Sequence, residues 1–259
     1  MDASAAQRLR VLTVNIHRGY TALRRRFMLH ELREAVRAVG SDLVFLQEVT
    51  GAGSTGVLLK GRRVNAPRNG VARAHYEYLA EQIWADHAYG RNAVIDGFEH
   101  GNALLSRYPI LGYTNYDVSI PGDEARGMLH CTVQLRGAAE PLHGVCVHLG
   151  LRESHRHRQL RRLVALLARE VPDDAPLVVA GDFNDWRGNA DAVLRSCSLT
   201  EVFREANGEH ARSFPARWPL LRLDRIYVRN VVAAHPMPLP RRPWSDLSDH
   251  APLAAEITL

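Results

Sequence analysis

Residues 176–184 read Pro-Leu-Val-Val-Ala-Gly-Asp-Phe-Asn, an apolar run that ends in a carboxylate and a carboxamide. The run from Leu177 to Ala180 predicts a buried strand, and Gly181 marks its end. Burying Asp182 or Asn184 without partners costs about 1–3 kcal/mol each, so both side chains need a task at this position. The stretch therefore predicts a functional edge on a buried β-sheet.

The same pattern, an apolar run that begins or ends with a polar side chain, recurs along the chain. It occurs at Asn15 after RVLTV, Glu48 after LVFLQ, Asn102 before ALLS, His148 after VCV, Asp224 before RIYV, and Asp249-His250 before APLAAEI. Buried polar groups in proteins are nearly always satisfied by partners. We therefore expect these side chains to satisfy one another at one rim and to line a single cleft.

Helical patterns lie between the strand patterns. Apolar residues recur at helical spacing over 27–39, where Gly40 ends the pattern, and a second amphipathic pattern covers 152–171. A third helix is predicted around 75–84, and 50–74 is predicted to be a long surface loop. Strands dominate both halves of the chain, and two stacked sheets flanked by helices would bury their faces. No linker or repeat divides the chain, so we expect one domain over residues 1–259.

Composition indicates an ordinary globular protein. The chain has 259 residues, 46% hydrophobic and 24% charged, with a net charge of +5 and a pI of about 9.4. Lys60 is the one lysine, and this general arginine bias speaks only weakly to binding partners. The cysteines at 131, 146 and 197 are widely spaced and are expected to be buried, reduced thiols.

The sequence contains neither a long apolar run nor a leader pattern. No apolar stretch approaches the roughly 18 residues that span a bilayer. The segment MDASAAQRLR (1–10) lacks the basic start and long apolar core of a signal peptide. We therefore expect a cytoplasmic protein without a transmembrane segment, and we favour a monomer.

Three carboxylates, Glu48, Asp182 and Asp249, would repel one another at one rim unless a cation or a proton lay among them. Oxygen ligands without cysteine favour a hard ion, Mg²⁺ or Mn²⁺, whereas Zn²⁺ would prefer histidine and cysteine. His148 and His250 are then left for proton transfer or for contact with an anion, and a carboxylate such as Asp224 would orient one of them.

Seven motifs carry a resemblance to a known family. They are TVNIHRG (13–19), FLQEV (45–49), GNALLSRYPI (101–110), CVHLG (146–150), GDFN (181–184), LDRIYV (223–228) and SDH (248–250). In this order they resemble the endonuclease/exonuclease/phosphatase superfamily of DNase I-like proteins, and within it the bacterial YbhP-like proteins. The resemblance implies a four-layer α/β/β/α sandwich of two mixed sheets flanked by helices.

The resemblance also implies roles for residues around a metal ion. Glu48 would be the principal metal ligand, with Asn15 and Asp249 close to the ion. Asp182 would orient and deprotonate the attacking water, and Asn184 would hold a phosphoryl oxygen. The carboxylate and the carboxamide of the opening stretch thus serve the nucleophile and the charge on phosphorus, respectively.

Further roles follow from the same resemblance. His250, polarised by Asp224, would grip the phosphate from the other side, and His148 would lie near the leaving group as an acid or as a hydrogen-bond donor. Asn102 would support the phosphate or Asp182. The simpler readings are a core histidine for His148, a turn residue for Asn15, and a strand-start ion pair for Asp224.

Loop residues complete the predicted site. Arg126 is a candidate for a two-point hydrogen bond to a substrate phosphate, and His17 and Arg18 are candidates for substrate contact. Trp186 is a candidate for a pocket wall that packs against a base or a lipid chain. Exposed loop arginines are more often simply solvated.

The sequence thus predicts a phosphodiesterase that uses Mg²⁺ or Mn²⁺ and in-line attack of water. Its substrate would be a nucleic acid or a phospholipid or its headgroup. The absence of a YVPN-type stretch at CVHLGL argues against repair of abasic sites. Two alternatives are a phosphomonoesterase acting on a small phosphorylated metabolite and a non-catalytic anion-binding protein that keeps the fold.

Overall fold

Two six-stranded β-sheets form the centre of the molecule in the computed structural model. The structure describes residues 7–19, 28–51, 58–59, 62–63, 74–95 and 98–259. The strands are β1 (Arg8–Asn15), β2 (Leu43–Thr50), β3 (Leu58–Leu59), β4 (Arg62–Arg63), β5 (Asp86–Ile95), β6 (Phe98–Ser106), β7 (Ile110–Asp117), β8 (Gly127–Val133), β9 (Leu142–His148), β10 (Leu177–Asp182), β11 (Thr200–Glu201), β12 (Asp224–Arg229), β13 (Ala233–Met237) and β14 (Leu253–Thr258). The helices are α1 (Leu29–Val39), α2 (His75–Ala80), α3 (Glu153–Glu170), α4 (Ala190–Arg195), α5 (Val202–Asn207) and α6 (Trp244–Leu247).

The order of strands makes both sheets mixed. The first sheet runs β13-β14-β1-β2-β6-β5, and the second runs β11-β12-β10-β9-β8-β7. The pairs β1–β2 and β9–β10 are parallel, and the other pairs are antiparallel. Parallel neighbours place their carboxyl ends at the same edge of a sheet, so β1 with β2, and β9 with β10, deliver their last residues together.

Three apolar cores hold the layers together. The inner faces of the two sheets meet through side chains such as Phe45 and Cys146. The outer face of the first sheet packs on α1 through Leu32, and the outer face of the second packs on α3 through Leu163. Strands buried on both faces appear in sequence as continuous apolar runs, which is why RVLTV and LVVA lack alternation. The predicted four-layer α/β/β/α sandwich is confirmed.

The predicted elements differ from the structure mainly at their boundaries. The helix predicted over 27–39 begins at Leu29, and the helix predicted over 75–84 ends at Ala80. The loop predicted over 50–74 lies largely outside the described residues. The few residues of this range that the structure describes include the short antiparallel pair β3–β4. All three cysteines are free, with Cys131 and Cys146 buried and Cys197 half-buried. Among the described residues, no helix has the length and hydropathy needed to cross a membrane.

Candidate active site

The polar strand ends meet at one edge of the sandwich, which we call the site edge. Asp182, the last residue of β10, pairs in register with His148 on β9 and with Asp224 on β12. In the facing sheet, the carboxyl ends of β1 and β2 bring Asn15 and Glu48 to the same place, where the Asn15 side chain bonds to both Glu48 and Asp182. The two sheets therefore contribute to one cluster, as the sequence predicts.

Asp182 lies at the centre of this cluster and is 1% exposed. Its Oδ2 accepts a hydrogen bond from Asn15 Nδ2 at 3.2 Å, and its Oδ1 accepts one from the Asn184 backbone N–H at 2.9 Å. The Nε2 atoms of His148 and His250 lie 3.5 and 3.8 Å from Asp182 Oδ2. A carboxylate held by both sheets and flanked by imidazoles is well placed to exchange a proton with a bound water.

Gly181 makes room for Asp182 to turn into the site. Its φ is +147°, and a Cβ atom built there would lie 2.0 Å from the carbonyl oxygen of Val147 on the neighbouring strand. Only a residue without a Cβ atom fits so close to another backbone. The glycine that the sequence shows before Asp182 is therefore required by the approach of β10 to β9.

His250 and Asp224 form a buried dyad. His250 Nδ1 lies 2.8 Å from Asp224 Oδ2, and both side chains are almost completely buried. Burial by itself lowers the pKa of the His250 imidazole, but the charges of Asp224 and Asp182 outweigh burial and raise that pKa to about 10. His250 is therefore a buried cation at neutral pH, suited to holding an anion.

Opposing effects determine the pKa of the Asp182 carboxyl. Burial raises the pKa of its carboxyl to about 7, the positive charge of His250 opposes that shift, and Asp224 adds to it. A base with a pKa near the working pH is the most effective for general base catalysis. Asp182 therefore has the protonation behaviour expected of a group that removes a proton from water.

Glu48 and Asp249 form an acidic group on the solvent side of Asn15. Asn15 Nδ2 donates to Glu48 Oε1 at 3.2 Å, while His17 Nδ1 lies 3.4 Å from Asp249 Oδ2 and 3.8 Å from Glu48 Oε2. Arg18 Nε lies 3.9 Å from Glu48 Oε2. Both carboxylates are about one-fifth to one-quarter exposed, at 24% for Glu48 and 20% for Asp249.

This group fits a hard divalent cation. Its donors are the carboxylate oxygens of Glu48 and Asp249, the kind of ligand that Mg²⁺ and Mn²⁺ prefer, whereas the Asn15 side-chain oxygen accepts a hydrogen bond from the His17 backbone N–H at 3.0 Å. One ligand atom from each of Asp182, Asp224 and His250 also lies within 4.8 Å of the others, which is compatible with a metal site. However, His250 Nδ1 and Asp224 Oδ2 are hydrogen-bonded to each other, so these two atoms are not free to bind an ion. The group around Glu48 is thus the more open candidate for a cation, and the hydrogen bond of the buried dyad suits it to carrying charge and protons.

The backbone at Glu48 is arranged to aim its side chain. Glu48 has a φ of +54°, and the pairing of β2 with β6 shifts register between Leu46 and Val49. Such a bulge redirects a side chain at a sheet edge, and left-handed backbone in a non-glycine residue costs on the order of 1–3 kcal/mol. The backbone strain at Glu48 therefore suggests that the direction of this carboxylate has a function.

His148 and Arg126 border a small pocket beside Glu48 that Arg18 and His100 also line. Burial, followed by the nearby charges of Arg126, His250 and Arg18, lowers the pKa of His148 well below its usual value. His148 is therefore a neutral hydrogen-bonding group. Arg126 is paired with Glu124 at 3.1 Å, and its buried Nε has no hydrogen-bond partner within the described part of the chain.

The two asparagines predicted to support the phosphate lie in different environments. Asn184 is 4% exposed, has a φ of +50°, and donates one side-chain N–H to the Leu149 carbonyl at 2.9 Å. Among the described residues its second side-chain N–H has no partner, so it is available to a ligand. Asn102 is fully buried, and its amide donates to the backbone carbonyls of Gly127 and Cys146. The structure places Asn102 between the two sheets, with no recorded bond to Asp182 among the described residues.

Trp186 lies at the rim and is 43% exposed. The guanidinium of Arg156, which is almost fully buried, stacks over its ring at 4.6 Å from the centroid. This contact leaves the other face of the indole for solvent or a ligand. The role of Trp186 as a pocket wall stays a prediction, and no sequence pattern indicates its contact with Arg156.

Two serines that the sequence analysis did not select hold the site together. Ser248 Oγ donates to the Asn15 carbonyl at 2.6 Å and accepts from the His250 backbone N–H at 3.3 Å. Ser213 Oγ accepts from the Asp224 backbone N–H at 3.2 Å. Ser248 is the first residue of the motif SDH, so the sequence offers a signal for it. The sequence around Ser213 contains no comparable motif.

Comparison with known proteins identifies the family. The family model described as Endonuclease/Exonuclease/phosphatase family matches residues 12–250, a range that contains all of the site residues described above. The chain belongs to the endonuclease/exonuclease/phosphatase family. The predicted resemblance is thereby confirmed, and members of this family act on phosphoesters as nucleases, phosphodiesterases and phosphatases.

One sequence relative and two solved structures illustrate what the chain is similar to in sequence and in fold. The chain is 53% identical over 251 residues to the uncharacterized protein YbhP of Escherichia coli (strain K12), covering 96% of each chain. A family member from Beutenbergia cavernae has a similar solved structure, with a TM-score of 0.72, 21% identity, and coverage of 98% of this chain and 72% of the other. Truncated TDP2 of Caenorhabditis elegans gives a TM-score of 0.65 at 16% identity, covering 97% of this chain and 98% of the other.

Proposed function

We propose that this protein is a divalent-metal-dependent phosphodiesterase. One observation carries the proposal: the buried Asp182 is held by Asn15 from one sheet and lies beside the positively charged His250, next to a partly exposed acidic group. A water activator, an anion-binding cation and a metal site within one cluster are the parts that phosphoester hydrolysis needs. Membership of the family supports the same reaction class.

Glu48 would be the principal ligand of Mg²⁺ or Mn²⁺, with Asn15 and Asp249 close to the ion. When bound, the ion supplies Lewis acidity toward a phosphoryl oxygen and offsets the negative charge of the substrate. The oxygen donors of these residues favour such an ion over zinc.

The nucleophile would be a water beside Asp182. Asp182 orients this water and takes its proton as the new P–O bond forms and the bond to the leaving oxygen breaks. The fixed geometry of Asp182, set by Asn15 and the Asn184 backbone N–H, keeps the water in line with the leaving group. No covalent link between enzyme and substrate is required.

Charge on the phosphoryl group would be met from two sides. The His250 imidazolium, held by Asp224, and the free side-chain N–H of Asn184 donate to non-bridging oxygens. The neutral His148 donates a hydrogen bond near the leaving oxygen, and Arg126 and Arg18 extend the positive surface of the adjoining pocket. Supporting contacts to the substrate would come from His17, Trp186 and, indirectly, Asn102.

The proposal is tested with purified protein in Mg²⁺, Mn²⁺ or EDTA. Bis(p-nitrophenyl) phosphate, p-nitrophenyl phosphate, supercoiled plasmid, single-stranded RNA and phospholipid vesicles should be offered in parallel, with Glu48→Ala as the control. We expect metal-dependent cleavage of a diester that Glu48→Ala lacks. Cleavage of the monoester alone would favour a phosphomonoesterase. No cleavage above the control, together with anion binding that Asp182→Asn leaves unchanged, would favour a non-catalytic binder.

A further inference from the structure

Large apolar side chains are exposed mainly around the site. Nine of them are at least 41% exposed among the residues that the structure describes. Six lie beside the site edge, and we call them the apolar rim. They are Val94, Leu151, Trp186, Trp218, Leu220 and Leu221. A concentration of this kind marks a surface that meets an apolar partner, because scattered exposed residues would show no preference for one edge.

The topology places the apolar rim at the site edge. Leu151 follows His148 at the end of β9, and Trp186 follows Asp182 at the end of β10. The segment with Trp218 and Leu220 precedes Asp224 at the start of β12. These three strands are neighbours in the second sheet, so their loops stand side by side.

Val94 reaches the same edge from the first sheet. It lies near the tip of the β5–β6 hairpin, which extends past the carboxyl end of β2, because Thr50 pairs with His100. By contrast, Leu111 and Val232 lie at the opposite edge of the sandwich, where β7 begins and where the Val232 backbone bonds to Thr258. Tyr113, the ninth, lies within β7. Both sheets thus contribute apolar side chains to the site edge.

The segment with Trp218 is attached to the catalytic groups. The Phe214 ring lies 5.0 Å from the His250 ring, centroid to centroid. The Ala251 N–H donates to the Ser213 carbonyl, and the Ala216 N–H donates to the Asp249 carbonyl, both at 2.7 Å. A surface that engages Trp218 would therefore be held at a fixed distance from His250.

Positive charge accompanies these apolar side chains. Arg212, Arg241 and Arg242 are exposed and form no ion pair with a carboxylate of the described residues. Arg241 lies over the Trp218 ring, 5.9 Å from its centroid. Tryptophan and leucine beside long cationic side chains suit the boundary between lipid chains and anionic headgroups.

We propose that the apolar rim docks on the surface of a bilayer that contains anionic phospholipid, and that the substrate diester belongs to a lipid in that surface. The inference rests on the proposed phosphodiesterase function and specifies its substrate class. A single-stranded nucleic acid would use aromatic faces, but Val94, Leu151, Leu220 and Leu221 have none to offer for stacking. A bilayer uses aliphatic and aromatic side chains alike.

Vesicle flotation tests the docking surface without turnover. Protein in EDTA should be mixed with phosphatidylcholine vesicles with or without 30% phosphatidylglycerol, a composition of about one anionic lipid in three. We expect the wild type to float with the anionic vesicles. The double variant Trp218→Ser/Leu220→Ser should bind about tenfold or more weakly, because two apolar contacts with the lipid are lost. The matched control is Leu111→Ser/Val232→Ser, which removes two exposed apolar side chains from the opposite edge and should bind like the wild type.

The outcomes separate the two proposals. Hydrolysis of soluble bis(p-nitrophenyl) phosphate by the wild type, without flotation on either kind of vesicle, would overturn the docking inference and leave the phosphodiesterase in place. Equal weakening by both double variants would also overturn it, since the site edge would then have no special role. Cleavage and binding of single-stranded RNA that Trp218→Ser/Leu220→Ser abolishes would assign the rim to nucleic acid instead. Flotation without metal-dependent cleavage of any diester would support the surface and contradict the proposed function.

Discussion

Asp224 Oδ2 lies 2.8 Å from His250 Nδ1, and the pair joins the first strand residue of β12 to the turn that precedes β14. These strands belong to different sheets, so the dyad is also a contact between the sheets. The carboxylate orients the imidazole and keeps it protonated, which leaves Nε2 directed toward Asp182 at 3.8 Å.

Replacing Asp224 with asparagine should lower kcat by about 100-fold or more, the usual range for loss of a proton-handling or charge-stabilising group. The pKa of His250 should fall from about 10 toward its ordinary value, since the main charge that raises it is lost. Turnover of bis(p-nitrophenyl) phosphate and an NMR titration of His250 measure the two effects. Asp246→Asn is a matched control, because Asp246 is exposed and paired with Arg217. An unchanged His250 titration would contradict this account.

The rate should follow a bell-shaped pH profile. Activity should rise as Asp182 loses its proton at or below pH 7, because a bound divalent cation favours the ionised carboxylate. It should fall near pH 10 as His250 loses the proton that holds the phosphate. The profile of kcat/KM from pH 5 to 10.5 measures both limbs, with circular dichroism to verify folding at each pH. A rate that continues to rise through pH 10 in folded protein would show that the imidazolium is not needed.

Replacing Glu48 with glutamine should weaken Mn²⁺ binding by roughly 100-fold or more, since even changes to groups behind a ligand cost about 10- to 100-fold. Isothermal titration of the protein with Mn²⁺ measures the affinity directly. Glu140→Gln serves as the control, because Glu140 is exposed and lies beside β9 at the edge remote from the site. Similar affinities for the two variants would move the metal site away from Glu48.

Replacing Gly181 with alanine should destabilise the protein by about 3 kcal/mol or more, because the new Cβ would clash with the Val147 carbonyl and φ is +147°. Chemical denaturation measures the free energy of unfolding. Gly112→Ala is the matched control in an exposed strand, where an added Cβ meets nothing within 4 Å, and should change stability by less than about 1 kcal/mol. Equal effects in the two variants would mean that β10 can move away from β9 without cost.

A histidine pair outside the site should make the stability of the fold depend on pH. His130 Nε2 lies 2.9 Å from His143 Nδ1, and burial, followed by the charge of His143, lowers the pKa of His130 to about 4. Its pKa in the unfolded chain is about 6.5. The folded state therefore favours neutral His130, and the stability this contributes is present above pH 6.5 and is lost as the pH falls toward 4.

The melting temperature of the wild type should fall more steeply between pH 6.5 and 4 than that of His130→Gln, which carries no titrating group at this position. Thermal unfolding followed by circular dichroism measures both curves. Parallel curves would show that His130 does not contribute to the acid sensitivity.

Sequence patterns indicated which side chains meet at the site edge better than they indicated what surrounds those side chains. The sequence singles out Asp182 and Glu48 because a carboxylate directly after an apolar run is costly to bury unless it has a partner or a function. Asn102 follows the same pattern but lies between the sheets, because a polar residue at a strand end does not reveal which way its side chain points. The stacking of Arg156 on Trp186 could not be predicted from the sequence, because Arg156 in α3 and the loop with Trp186 come together only in the folded protein.

Elements with weak patterns were the ones missed. Strand β13 contains Pro236 and lies at the edge of the first sheet, where a missing N–H is tolerated. The helices α4, α5 and α6 have six, six and four residues, too few for an apolar stripe to repeat. Their positions depend on packing against the sheets rather than on a local signal.

The hydrogen bonds from Asn15 to Glu48 in its own sheet and to Asp182 in the facing sheet make the chemistry depend on how the layers are docked. Neither half of the sandwich carries a complete set of these groups, so a chain whose two sheets are not docked would lack the proposed activity.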